Sequence, residues 1–537
     1  MKNKITYLII TIVAIGIQSG SLLAQKKSSD KCVYTFERLE KRAPWIVSEN
    51  GAGLVFNNAL NYSTVGAYYG LQDGDYRNYN EAGKYQTFGL QTKSYVKSKK
   101  VYFYGSFIYD YGVKSNQAWL GTIYPESTLN PILDSIPGKV LREDYILSAK
   151  VGYPINDTWS VGGAFDYHTA TGAKRSDGRN ANTFSHFKAS PGITFHKGIV
   201  TSGLNFNYQH DVEDVVYSYI GETTGKYIKY MEGLFFMTSS GISSTTTLDR
   251  KYNTDIFGGA LQLEIGGKKL RLFNQMKVDY NKENDFEDGL IKRYATVDGL
   301  KYQYDGLISY RSKKIDHTLA LNFVSNEQFS YNVSNIYEEI ENEPGWWAFF
   351  EYGKTLRYIQ TMQQYGAEYK GFLRRGHGLG CSFVGTLGVN YITVEKDFKI
   401  YPASYHQDYT NTEVYAKLDK NIRATKNGFV DVNISGNYTI GDGTMLESTN
   451  PIVTGSLRLN EEILKRDFAY RTADRANVGF GVKYSHIFNH EKGLTAYLGA
   501  NYAHQFLVND GGLDVTLDGV LPGTYRNMVS VQIGLNF

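Results

Sequence analysis

The chain has 537 residues, 42% hydrophobic and 15% aromatic, with 45 Tyr, 55 Gly, 10 Pro and a formal net charge of +3. A near-neutral chain with no basic block interleaved with stacking aromatics argues against nucleic acid as a partner. Its two cysteines, Cys32 and Cys381, support neither a disulfide framework nor a paired-cysteine metal site.

Residues 1–24 read as a secretory signal peptide. Lys2 and Lys4 give the basic start, Ile5 to Ile17 the apolar run, and Leu22-Leu23-Ala24 the small-residue end after which cleavage is expected. That run is too short to cross a bilayer as a helix. Cys32 lies behind the charged stretch Lys26 to Lys31 rather than at the cleavage point, so a lipid anchor is not expected. Residues 25–52 then form a periplasmic N-terminal segment, either a tail or a small plug reaching into a lumen. Phe36 to Glu40 suits a short helix before a break at Pro44.

No later run is long and apolar enough for a helical span, and the mean hydropathy of -0.37 alone would suit a soluble protein. Abundant Tyr and Gly with few Pro suit a transmembrane barrel, because Tyr serves both membrane interfaces. Period-two alternation decides between them. In the last strand Tyr525, Val529, Val531, Ile533, Leu535 and Phe537 share one face, and Arg526, Ser530, Gln532, Gly534 and Asn536 the other. The pattern recurs at Tyr145 to Tyr153, Trp159 to Tyr167, Val430 to Ile440 and Leu494 to Tyr502.

Turn chemistry sets the strand count. Tight turns are expected at Ser98 to Lys100, Asn156-Asp157, Lys197-Gly198, Gly266 to Lys268, Ser312 to Lys314, Arg375-Gly376, Lys426 to Gly428 and Asn489 to Gly493. Eight turns join sixteen strands. A first strand from Thr64 to Tyr76 and the terminal strand make about eighteen, with sixteen or fourteen as alternatives. The fold expected over 53–537 is therefore an all-β, antiparallel transmembrane barrel in the bacterial outer membrane, with short periplasmic turns. Long extracellular loops are expected at 113–142, 170–183, 211–252, 281–300, 325–362, 393–409, 441–474 and 505–524, with a short one at 77–83. A transporter with a folded plug domain needs a far longer N-terminal segment and about 22 strands.

The alternating hydrophobics ending in Phe, at Val529, Val531, Ile533, Leu535 and Phe537, resemble the insertion signal of outer-membrane barrels, which implies recognition by the barrel-assembly machinery. The Leu23-Ala24-Gln25 cleavage style, Asn57-Asn58-Ala59-Leu60 before the first strand, Tyr-rich strands and terminal Phe together resemble a Bacteroidota outer-membrane barrel family, a domain of unknown function. Asn57-Asn58-Ala59 also resembles the Asn-Pro-Ala start of long-chain fatty-acid transporters, which have fourteen strands. Here Asn58 stands where that pattern has Pro.

Strand parity points Lys93, Lys150, Lys188, Arg271, Lys277, Arg311, Lys370, Lys417, Lys483 and Arg526 into the lumen. Asp166, Glu264, Asp279, Asp305, Glu368, Glu413, Asp419 and Asp431 share that parity. Such a mixed set serves as cross-strand ion pairs or as a selectivity lining. On the 325–362 loop, Glu338, Glu339, Glu341 and Glu343 adjoin Trp346, Trp347, Phe349 and Phe350, aromatics that suit either a gate or ligand contact, or packing at the rim or membrane interface. Cys381 shares the lipid-facing parity of Phe383 and Leu387. The ten His form no catalytic or metal motif, and His486 with His490 falls near a turn where the two have no reason to converge. No enzyme activity and no cofactor are expected. The expected function is a channel or facilitated transporter for a small polar solute, the alternative an accessory barrel with protein partners in an uptake or secretion assembly.

Overall fold

The computed structural model describes residues 39–40, 43–57, 61–176, 178–220, 226–243, 247–267, 269–287, 292–341, 343–375, 380–400, 403–446, 457–490, 493–509 and 523–537. The expected leader, the rest of the N-terminal segment with Cys32, Asn58-Ala59-Leu60, and Lys268, Gly376 and 491–492 of the expected turns lie outside these residues.

The strands, in chain order, begin with β1 (Tyr62–Gly74), β2 (Lys84–Ser98), β3 (Val101–Gln117), β4 (Ile132–Leu133), β5 (Gly138–Pro154), β6 (Trp159–Lys174) and β7 (Arg179–Lys197). They continue with β8 (Val200–Ser218), β9 (Lys226–Gly233), β10 (Phe236–Ile242), β11 (Leu248–Gly266), β12 (Leu270–Glu287), β13 (Lys292–Arg311), β14 (Ile315–Glu339) and β15 (Trp347–Arg374). The last are β16 (Cys381–Ile400), β17 (Ala403–Arg423), β18 (Gly428–Leu446), β19 (Arg458–Leu459), β20 (Asp474–Asn489), β21 (Leu494–Asn509) and β22 (Tyr525–Asn536). Among the described residues two helices are bounded on both sides, α1 (Pro44–Val47) and α2 (Glu461–Thr472); Leu39 and Glu40 are also helical, and a 3-10 turn spans Gly51–Phe56.

Eighteen strands form one antiparallel ring. Each pairs with its neighbours along the chain, and β1 closes on β22 in register from Thr64 opposite Asn536 to Gly74 opposite Arg526. Closure leaves no free edge, the condition for a sheet in hydrocarbon. The outward face is apolar: Leu204 and Phe206 are each 53% exposed, Leu261 is 61% and Ile533 59%. On a soluble protein such a belt would be an association surface; around a closed barrel it is the face for lipid.

The described turns fall where turn chemistry placed them, for example Lys99-Lys100 between β2 and β3 and Lys313-Lys314 between β13 and β14. Lys99 takes a positive φ of 53°, as a tight hairpin demands. The long connections differ from expectation. β14 has 25 residues and β15 has 28, far beyond the roughly 9 to 11 that span a membrane, so the 325–362 loop is a paired hairpin turning at 340–346. The 281–300 and 393–409 loops shrink in the same way, because β12, β13, β16 and β17 extend into them. Beyond the membrane a strand still gains hydrogen bonds from its neighbours but no longer needs one apolar face, so its period-two signal fades.

What remains of three connections folds together over the long-loop mouth. β4, β9, β10 and β19 form a small second sheet. Its Phe236 stacks on Phe398 of β16 with centroids 4.2 Å apart, in a core shared with Val297, Tyr358, Tyr405 and the α2 residues Ile463 and Leu464. Asn460 caps α2 by accepting from the Ile463 amide at 3.2 Å. On the other side Ile132, Ile228 and Ile242 pack against Val215, Tyr217 and Tyr252 of β8 and β11. The cover thus ties β8 and β11 to β13, β15, β16 and β17.

Leu39 and Glu40 are helical and Ala43 is not, so the chain leaves that helix before Pro44, and Pro44 then opens α1, where its missing amide hydrogen costs nothing. One local expectation is corrected. Cys381 does not face lipid: the register shift between β15 and β16 leaves Ser382 as the extra residue, which turns Cys381 inward into a buried cluster with Phe372 and Val384.

The two faces should respond oppositely to charge. Ile533→Arg places a guanidinium in lipid and is expected to destabilise the folded barrel by roughly 2–4 kcal/mol, whereas Gln532→Arg, one residue away and inward, costs under about 1 kcal/mol. Urea titration in lipid vesicles measures both; equal losses would contradict this inside–outside assignment.

Candidate functional site

The inner wall divides into two halves. Along β2 to β12 it carries the chain's own N-terminal segment. Trp45, Ile46, Ala52 and Leu54 are fully or almost fully buried there. The Trp45 ring meets Phe273 edge-on at 5.2 Å, and its indole nitrogen donates to Glu264. Glycines let the segment lie directly on the sheet: a Cβ at Gly162 would sit 2.5 Å from the Ala52 amide nitrogen, and one at Gly192 2.3 Å from Asn50 Oδ1. Asn50 donates to the Ile193 and Leu204 carbonyls at 3.1 and 3.2 Å, filling acceptors of the barrel backbone.

Glu49 is the electrostatic centre of this half. Its Oε1 accepts from Lys188 at 2.7 Å and Lys277 at 2.8 Å, and its Oε2 accepts from Asn207 at 2.7 Å. Burial by itself would raise its pKa, but the two ammonium groups overcome that and hold it at about 2, below its ordinary 4.5. Lys150 donates to the Ile46 and Ser48 carbonyls at 2.8 and 2.7 Å, and Lys93 pairs with Glu40 at 3.0 Å.

The predicted lumen residues therefore separate by what they touch. Lys93, Lys150, Lys188, Glu264 and Lys277 hold the segment directly. Arg271 pairs with Glu264 and Asp279 with Lys277, Asp166 stands opposite Lys188 in register, and Asp305 accepts from Gln303 at 2.8 Å. Arg311 lies at the short-turn rim, 3.9 Å from Asp316, and Arg526 toward the long-loop rim, 2.9 Å from Glu81.

The remaining residues surround a cavity of about 640 Å³ against β15 to β22. Lys370 pairs with Glu368 at 2.6 Å, Lys417 with Asp419 at 3.1 Å and Lys483 with Asp431 at 3.6 Å. Glu413 accepts from Asn390 and Asn437 at 3.0 and 2.6 Å. Two of the three ion pairs join residues on one strand at i, i+2, rather than neighbouring strands. A search confined to charges misses the amides that share this wall, Asn433, Asn477, Asn501 and Gln532, although their inward parity is plain in the sequence. It also misses Glu49 and Trp45, since nothing in a 25–52 tail says which barrel residues will face it.

Trp346, Trp347, Phe349 and Phe350 stand on the β14–β15 hairpin beyond the last pairings with β13 and β16. Trp346 is 68% exposed, and Tyr337 packs between Trp347 and Phe349. None of the four lines the cavity. His490 bonds to Asn427 and His486 to Tyr484; among the described residues no group of three or more His, Cys, Asp or Glu is placed to hold a metal ion.

A closed eighteen-strand ring with an apolar outside and a charged, amide-rich inside is an outer-membrane β-barrel. Residues 51–537 match the model of a family of unknown function, DUF6850, and the chain belongs to that family. Among curated proteins none matches. Solved structures similar to it include the ferric preacinetobactin receptor BauA of Acinetobacter baumannii, at 10% identity and TM-score 0.39, covering 89% of this chain and 79% of that one. The outer-membrane transporter YddB of Escherichia coli gives 7% and 0.39, covering 88% and 81%. The RagAB peptide importer gives 8% and 0.36, covering 89% and 86%. Likeness at this level extends to the barrel alone.

Glu49 makes the segment's docking depend on pH. A carboxyl whose folded pKa is depressed contributes its full stability above its unfolded value, here 4.5, and loses it as pH falls toward about 2. Radical footprinting of Trp45 read by mass spectrometry should show protection at neutral pH and loss of it in that acid window. Glu49→Gln weakens docking by about 2–4 kcal/mol, raising Trp45 labelling at neutral pH severalfold. Unchanged labelling in this variant would remove Glu49 as the lock.

Proposed function

We propose that this protein is a gated channel or facilitated transporter for a small polar solute in the outer membrane, exported by cleavage after Ala24. The observation that carries the reading is the asymmetry of the lumen. One half of the wall is filled by the N-terminal segment, while the other keeps a cavity of about 640 Å³ lined by polar groups. An inert structural barrel gains nothing from an open polar cavity, because the same strands could fill it with side chains. The cavity reaches down to Phe372 and Val384, close to the short-turn rim, which is the periplasmic end in this reading.

Conduction then requires a movable element at each mouth. The segment, held through side chains and a handful of backbone contacts rather than a strand ladder, is one. The cover with α2, packed on β17 and β18, is the other. The β22 run from Val529 to Phe537 serves as the signal read by the assembly machinery before β22 closes on β1. A second reading, an accessory barrel in a larger assembly, is favoured by the exposed aromatics of the β14–β15 hairpin, which suit contact with a protein partner.

Single-channel recording of the purified protein in planar bilayers separates the two. The channel reading expects ion steps that grow or open more often when residues 25–52 are deleted, and that persist when the tip 338–350 is removed. Silence in every variant with a folded barrel would discard the channel and leave the accessory role.

A further inference from the structure

The chemistry of the cavity narrows the solute, given the uptake reading above. We infer that the cavity against β15 to β22 binds a neutral, polyhydroxylated solute of the oligosaccharide class.

The first argument is charge. Each lysine of the cavity already has a carboxylate partner at 2.6 to 3.6 Å. An anionic ligand would have to displace one of these carboxylates, at the cost of leaving it unpaired in a confined space. The remaining carboxylate, Glu413, is engaged by two amides, which leaves a cation little to gain. What the wall offers without breaking an ion pair is carboxamide. Asn433 and Gln532 present donors and an acceptor on one flat group, the complement of hydroxyls that also do both, and the amides of Asn477 and Asn501 line the same wall, the latter donating to Ser530 at 3.3 Å.

The second argument is shape. The Tyr415 ring lies against the sheet over Gly388, where a Cβ would come 2.2 Å from the ring. Its hydroxyl is tied to Glu368 at 3.2 Å, so the ring is fixed at both ends and lines the cavity. A fixed aromatic face beside an amide wall receives a pyranose ring, which is apolar across its C–H face and polar at its edge. A small ion has no use for such a platform.

The test is calorimetric titration of the full protein, purified from membranes, with three neutral tetrasaccharides of different linkage: maltotetraose, cellotetraose and mannotetraose. Oligogalacturonate and deacetylated chitin oligomers supply anionic and cationic rings of similar size. At least one neutral sugar should bind about tenfold more tightly than either charged oligomer. Tyr415→Ala should weaken it about tenfold and Tyr415→Phe less than about twofold, because the phenyl face remains. Asn477→Leu, a second variant should Tyr415→Ala fail to fold, should weaken it about fivefold. Equal or tighter binding of a charged oligomer, or no binding of any neutral sugar by a protein that conducts ions, would overturn the inference and leave the channel standing. Sugar binding by a protein that never conducts would do the reverse.

Discussion

No backbone amide or carbonyl can be left unpaired in hydrocarbon, and every other feature of this molecule follows from how the chain meets that demand. The ladder between β1 and β22, residues more than 450 positions apart in sequence, turns an open sheet into a ring. Once the ring is closed, alternation does the rest: one side chain goes to lipid and the next goes inward. The wall therefore carries a polar inner surface whether or not a solute crosses it. Its charged groups sit where water is scarce and must find partners.

The partners differ between the two halves of the ring. On one half they belong to the chain's own N-terminal segment. Trp45 supplies apolar contact and Glu49 supplies charge, and the glycines of β5 to β8 make the recess that admits Trp45 and the backbone from Asn50 to Leu54. On the other half the lysines find carboxylates within the wall itself, and the space in front of them stays open. A segment held by side chains can leave without breaking the barrel, whereas a strand of the ladder cannot. The division of the lumen is thus also a division between what is fixed and what can move.

The cover over the long-loop mouth follows a different physics. Its Phe236, Ile463 and Leu464 share a small hydrophobic core with Phe398 and Tyr405 of β16 and β17, so the cover packs on the ring as a soluble domain packs on a neighbour. The strands beneath it outrun the membrane, and their extra length gives the cover walls to pack against. The β14–β15 hairpin carries the same extension further still, until its strands pair only with each other.

Much of this was legible from residue order. Period-two alternation, as at Val529 to Phe537, and turn residues such as Asn156-Asp157 depend only on neighbours in the chain, so the sequence by itself determined the all-β class, a ring of about eighteen strands and the described turns, and it sorted the charges by parity. It could not determine what those charges would meet. Glu49 joins Lys188 and Lys277, and Asp467 of α2 joins Lys396 and Asn78, because closure brings distant segments to one side of a ring. Cys381 turned inward because of one extra residue in a ladder, a matter of register between two strands rather than of parity within one. Only the tertiary structure decided which part of the lumen is filled, which stays open and how far the strands reach beyond the membrane. Those outcomes rest on long-range packing and pairing, and no local periodicity encodes them.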